Sequence, residues 1–232
     1  VMGDQHLREA VSGGTYHGGI NLHMSDTQTL TVNDLQLQHP DGTPLSNLGS
    51  FSIAPKSRWL VRGPSGSGKS TLMRSLAGLW PFGEGTIEVP AGAKLMFVPQ
   101  RSYLPIGTLK AALAYPSDES IFTDEACREA LTACNLPDLA GRLAEPAHWE
   151  RTLSPGEQQR LAAARVLLQK PDYLFLDEAT SALDPDNETL IYTVLNERLP
   201  ATAIVSVAHR KSLEAFHTQT ILVERAMERA AA

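Results

Sequence analysis

The sequence predicts an α/β fold: a parallel sheet flanked by helices, with an antiparallel β subdomain at its start and an α-helical subdomain inserted midway. Three observations predict it. Residues 29–38 (TLTVNDLQLQ) alternate apolar and polar as a half-buried strand does, and a turn and further short strands follow. Beyond residue 62, short apolar runs alternate with helical stretches, the pattern of parallel strands joined by helical crossovers. Between Gly107 and Leu143 the pattern is helical, and this middle stretch, about residues 105–165, reads as an insert.

Taken in order, residues 1–26 contain SGGTYHGG and no apolar period, so they read as a flexible linker or tag. His6, His17 and His23 fall there at no metal-ligand spacing. The first residue, Val1, suggests a fragment. After the strand at 29–38, HPDGTP makes a turn around Asp41-Gly42. LSNLGSFSIAP and RWLVR (58–62) read as two more strands of the β-rich, antiparallel opening. A glycine-rich loop then enters STLMRSLAGLW, where Leu72, Leu76 and Leu79 share a helical face and Pro81 is the expected stop. KLMFVPQ (94–100) is a short buried strand, and Pro116, Pro137 and Gly141 punctuate the helical insert. LSPGEQQRLAAARVLLQ opens a long helix, PDYLFLDEA is a strand, DNETLIYTVLNERL a helix and TAIVSVAH a strand. The folded unit is expected over 27–223, with 224–232 as a C-terminal tail.

Composition bounds the function. The 232 residues are 42% hydrophobic and 20% charged, an ordinary globular balance. Twenty Lys+Arg against 26 Asp+Glu give a net charge of −6, which argues against a nucleic-acid or anionic-membrane surface. No apolar run approaches the ~18 residues that span a bilayer, so this segment is expected to be soluble. Cys127 and Cys134 lie seven residues apart in a helical stretch, about 10.5 Å along the axis, too far to pair within it.

The strongest motif is Gly63-Pro64-Ser65-Gly66-Ser67-Gly68-Lys69-Ser70, with Thr71 following, which fits G-x-x-x-x-G-K-[ST] throughout. A random match in this length has a chance on the order of 1%. Glycines let the backbone curl so that amides point at a β-phosphate, and the helix opening at Lys69 adds its positive end. Lys69 reaches β/γ oxygens and the Ser70 hydroxyl can ligate Mg²⁺. A loop that only capped a helix would not need the lysine. The run Tyr173-Leu-Phe-Leu-Asp177-Glu178 ends a continuously apolar strand in two carboxylates, at the edge where such sheets bind ligands. Asp177 is the expected Mg²⁺ partner, and Glu178 can polarise an attacking water.

Leu153-Ser154-Pro155-Gly156-Glu157-Gln-Gln-Arg160 is a well-formed helix start, with Ser154 as N-cap, Pro155 at the first position and Glu157 completing S-x-x-E. Such an end is also an anion site able to hold a γ-phosphate. If the glycine loop already wraps that nucleotide, this helix end cannot easily reach it within its own chain, and a head-to-tail dimer with two nucleotides between loop and helix end would solve the problem.

In this order, GPSGSGKST, FVPQ, LSPGEQQR, YLFLDEATSALD and VSVAHR resemble the nucleotide-binding domain of an ATP-binding-cassette (ABC) transporter, a P-loop NTPase with a RecA-like core. The resemblance runs from about residue 29 to 223. FVPQRSYLPIGTLKAALAYP and the stretch from HWERTLSPGEQQR to LDEATSALD are similar to the D subfamily, of peroxisomal fatty-acyl type, and to bacterial relatives that move peptides or cobalamin.

The resemblance implies an ATPase powering transport. Gln100 would touch Mg²⁺ and the attacking water and couple to the membrane domain. Ser154 and Gly156 would bind the γ-phosphate across an ATP-dependent homodimer, Asp184 would communicate between sites, and His209 would contact the γ-phosphate and order Glu178. His39 would stack on adenine where the family has an aromatic residue. Pro155 replaces the family's glycine and removes one backbone donor, and Glu157 stands where many members have glutamine. A fused or associated transmembrane domain at the cytoplasmic face of the inner or plasma membrane is implied too. A soluble ABC ATPase of repair, assembly or translation is an alternative, though neither paired cassettes nor a coiled-coil insert is present. A small-molecule kinase would have no use for residues 153–160.

Overall fold

A computed structural model describes residues 19–226. It opens with β1 (Asn21–Ser25), β2 (Leu30–Gln38), β3 (Pro44–Ile53) and β4 (Arg58–Arg62), followed by α1 (Lys69–Leu76). Then come β5 (Gly83–Pro90), β6 (Leu95–Val98), β7 (Gly107–Thr108), α2 (Leu109–Ala114) and α3 (Asp124–Ala133). The second half contains β8 (Pro146–Ala147), α4 (Trp149–Thr152), α5 (Pro155–Gln169), β9 (Tyr173–Asp177), α6 (Pro185–Arg198), β10 (Ala203–Val207) and β11 (Gln219–Leu222).

One sheet has the order β1-β5-β2-β3, with β2 antiparallel to both neighbours and β1 parallel to β5. The other, β11-β4-β10-β9-β6, is parallel throughout. Strand alternation explains why β9 and β10 read as unbroken apolar runs. Tyr173, Phe175, Ala203, Val205 and Val207 pack into one apolar cluster with Leu72, Met73 and Leu76 of α1 and the antiparallel sheet. Leu174, Leu176 and Ile204 enter a second cluster with Leu161, Val166 and Leu167 of α5 and the helical insert. Within that insert Trp149 is fully buried and donates its indole N–H to the Gly107 carbonyl at 2.9 Å. Cys127 and Cys134 are free and buried, and desolvation pushes the Cys134 thiol up to about 12.

Three expectations are corrected and one strand is added. Residues 21–25, expected in the linker, form β1; its side chains carry no apolar period because it is ordered by backbone pairing along the edge of β5. The rest of that expected segment before Gly19, including His6 and His17, lies outside the described residues, as does the tail after Ala226. RWLVR does not join the antiparallel opening: β4 pairs parallel with β10 and β11, inside the central sheet. α1 ends at Leu76 rather than at Pro81, because Gly78 turns left-handed (φ 78°) and halts the helix first. β5, in a stretch assigned to no element, is the centre of the antiparallel sheet. Its Gly85 (φ 108°) lies so close to β2 that an added Cβ would sit 2.5 Å from the Asp34 carbonyl.

Candidate functional site

β10 is hydrogen-bonded between β4 and β9, all three parallel, so their carboxyl ends emerge side by side. The glycine loop follows β4, Glu178 follows β9 and His209 follows β10. They share a cleft of about 600 Å³ with His39, Leu45 and Val207.

The loop is shaped by its glycines. Gly66 (φ 72°) and Gly68 (φ 103°) are left-handed, and a Cβ on Gly68 would come within 2.5 Å of the Ser46 hydroxyl. The amide of Ser67 donates to the Pro64 carbonyl at 3.1 Å, closing the turn, and the Leu72 amide donates to Gly68 at 2.8 Å, starting α1. The first amides of α1 have no intrahelical acceptor and give the cleft a positive wall. Lys69 folds across the loop, its ammonium donating to the Gly63 carbonyl at 2.6 Å. Gly63, Ser65, Gly66, Gly68, Lys69, Ser70 and Thr71 all line the cleft, while Pro64 is exposed and Ser67 is buried beneath it.

The period of β9 puts Asp177 on the same face as Phe175, toward α1 and Ser70. Asp177 is 7% exposed. Burial pushes its pKa up and the Glu178 charge adds to this, while the Ser70 hydroxyl and the charges of Arg74 and Lys69 oppose it. Its Oδ1 has no hydrogen-bond partner among the described residues. Glu178 breaks from the strand with φ 53°, a left-handed conformation that costs a non-glycine residue about 1–3 kcal/mol and concentrates at functional sites. Its amide is held by the Val207 carbonyl at 2.9 Å, and its carboxylate is hydrogen-bonded to His209 Nε2.

Magnesium is held by few protein oxygens and completes its shell with water and phosphate. A buried carboxylate oxygen without a partner, beside a serine hydroxyl at the mouth of a phosphate loop, fits that demand. Among the described residues no group of three or more His, Cys, Asp and Glu forms an all-protein cage. His39 occupies the β2–β3 turn, where its amide donates to the Thr43 carbonyl at 2.8 Å, and it reaches the cleft wall.

Other residues expected at the site lie elsewhere. Ser154 caps α5 in a complete capping box: the Glu157 amide donates to Ser154 Oγ at 3.2 Å, and the Ser154 amide donates to Glu157 Oε1 at 3.0 Å. Ser154 is exposed, Gly156 and Glu157 are half-buried, and none of the three lines the cleft. Asp184 caps α6, accepting from the Asn187 amide at 2.8 Å, and that bond above all lowers its pKa. Gln100 also lies off the cleft, lining a neighbouring one of about 340 Å³ with Pro155 and Gln158.

Two contributors carried no usable sequence signal. Arg225, in the expected tail, donates to the Ser65 carbonyl and clasps the loop. Glu188 is buried in α6 and accepts from Thr180 at 2.7 Å and Arg210 at 3.3 Å, tying the segment after Glu178 to the residue after His209. An acid four positions beyond the Asp184 cap is ordinary on a helix, and only its burial marks it.

Three comparisons show what the chain is similar to. The family pattern described as ABC transporter matches residues 46–181, more than half of the chain. An ABC transporter ATP-binding protein of Synechocystis is 49% identical over 75% of this chain and 27% of its own length. ABC transporter D family member 1 of Dictyostelium discoideum is 32% identical over 95% of this chain and 31% of its own. The chain thus spans about a third of the length of such relatives. A solved bacterial Atm1-family ABC exporter with ATP bound superimposes with a TM-score of 0.74 at 28% identity, over 84% of this chain and 37% of that one.

Proposed function

Since the chain belongs to the ABC transporter ATP-binding family, we propose that it hydrolyses Mg²⁺-ATP as the motor of a half-transporter, two copies closing head to tail at the cytoplasmic face of a membrane. The observation that carries this reading is the division of the anion-binding parts. Loop, carboxylates and His209 share one cleft, whereas the capped end of α5 lies on a separate surface. A second copy brings that end over the first copy's loop. Among the described residues no helix is long and apolar enough to cross a membrane, so the transmembrane part belongs to a fused or associated domain.

Each residue then has a task. Loop amides and Lys69 neutralise the β/γ oxygens as the bond between the γ-phosphorus and the bridging oxygen breaks. Glu178 accepts a proton from the water whose oxygen bonds to that phosphorus, and ADP and phosphate leave. His209, bonded to Glu178, fixes the orientation of its carboxylate. Mg²⁺ held by Ser70 and Asp177, when bound, supplies charge neutralisation between the phosphates. His39 flanks the base, while Gln100 joins the site only on closure, as do Ser154 and Gly156 of the second copy.

Glu178→Gln tests the reading. It should lower phosphate release by about 10²–10⁴-fold, the usual worth of a positioned base. With Mg²⁺-ATP it should also sediment as a dimer, whereas the unsubstituted chain returns to monomer as ATP is consumed. Turnover at the unsubstituted rate would remove Glu178 from the role of base.

A further inference from the structure

Gln159 lies one and a half turns into α5 and is 7% exposed. Its Nε2 donates to the Gln100 carbonyl at 2.9 Å and to Ser181 Oγ at 3.3 Å, with the Glu178 carbonyl at 3.5 Å beside the second bond. Its Oε1 accepts from the Ala182 amide at 2.8 Å. A primary amide has two donors and one acceptor, and all are used. Exchanging oxygen and nitrogen would set carbonyl against carbonyl at Gln100 and N–H against N–H at Ala182, so the orientation is fixed by its partners.

Three segments therefore meet at one side chain: α5, the stretch carrying Gln100 and the turn after Glu178. Resting on the function proposed above, we propose that Gln159 is a positioning residue that makes the two halves of the divided site move together. The tip of α5 meets the other subunit's nucleotide, and five residues, about 7.5 Å, separate Ser154 from Gln159 along a stiff helix. A shift at the tip reaches Gln159 undiminished and is passed to the backbone of Gln100 and of the Glu178–Ala182 turn. The phosphate loop has no bond to Gln159 among the described residues, so nucleotide affinity is left aside and the assembly of the reactive geometry is affected.

The test uses the full 232-residue chain. Gln159→Met keeps length and removes every bond; Gln159→Glu keeps the acceptor for the Ala182 amide and loses both donors. Both should lower kcat about tenfold or more and leave KM for ATP within about threefold, the signature of an interaction made in the transition state. Loss of kcat in Gln159→Glu assigns the effect to the donor bonds. Thermal unfolding identifies a misfolded Gln159→Met, in which case Gln159→Glu decides. Amide hydrogen exchange should show Ala182 less protected in Gln159→Met than in Gln159→Glu. If the unsubstituted chain turns over ATP and folded variants match its kcat within about twofold, or if KM rises in step with the loss of kcat, this inference falls and the ATPase reading stands. If the unsubstituted chain hydrolyses no ATP, the function falls and takes the inference with it.

Discussion

Asp177 is held against its own preference. A carboxylate removed from water favours its protonated form, and burial is the largest contribution to its raised pKa. The sign for stability follows. An acid with a folded pKa above its unfolded one stabilises the fold at low pH, and this contribution is lost as pH rises through the folded value. At neutral pH the ionised group is a net cost that the proposed Mg²⁺ would relieve. Asp177→Asn should therefore raise the melting temperature of the nucleotide-free chain. The same substitution should abolish the extra stabilisation that Mg²⁺ adds to ATP and stop turnover. Calorimetry with and without Mg²⁺-ATP checks both halves; a less stable free chain would contradict the argument. Asp177 was legible from its strand, whereas the clasp of Arg225 on Ser65 was not, because a single arginine in a terminal segment looks like any solvated charge.

Among the elements, α5 carries the most of the proposed coupling, and its two ends are built differently. The first turn is closed by the capping box that S-x-x-E announces in the sequence. The last ends on Lys170 at φ 46°, where glycine is the usual choice. A left-handed lysine costs about 1–2 kcal/mol, of which a glycine recovers all but the ~0.5–1 kcal/mol of added unfolded-state freedom. Lys170→Gly should thus stabilise the chain by a few tenths to about 1 kcal/mol in urea denaturation, with turnover unchanged. Element types were read from periodicity and capping, but β5 was not, and the reason is local. Its sequence, GEGTIEVP, spends Gly83 and Gly85 on left-handed backbone against β2, so only Ile87 and Val89 in its second half show side chains to the core, too few to establish a period. β4 was found but placed in the wrong sheet, since RWLVR does not distinguish a parallel partner from an antiparallel one.

On the scale of the whole molecule, acid stability should depend on His217. Its Nδ1–H donates to the Leu213 carbonyl at 2.7 Å and its Nε2 accepts from Ser206 at 2.9 Å, the bonding of a neutral ring. Burial above all lowers its pKa, with Arg58 and Arg62 adding to the effect and the Leu213 bond opposing it. Its contribution is complete above about pH 6.5 and erodes as pH falls below that unfolded value toward the folded one. Melting temperatures measured from pH 8 to pH 5 should decline less steeply in His217→Gln, which can keep one donor and one acceptor. Parallel curves would clear His217. The fold class was legible because alternation of strand and helix is a whole-chain pattern. The division of the site was only half legible: motifs name residues, but Gln159 is distinguished by three partners from distant segments, which no local pattern encodes.

The capping box at the head of α5 leaves a short inventory of protons. Pro155 has no amide hydrogen, while those of Ser154 and Glu157 are engaged with each other's side chains. An arriving phosphate oxygen therefore finds two free hydrogens among the described residues of that tip: the Ser154 hydroxyl proton and the Gly156 amide. In the proposed dimer the grip of one copy on its neighbour's triphosphate would be a two-point pinch, and Ser154→Ala would remove half of it.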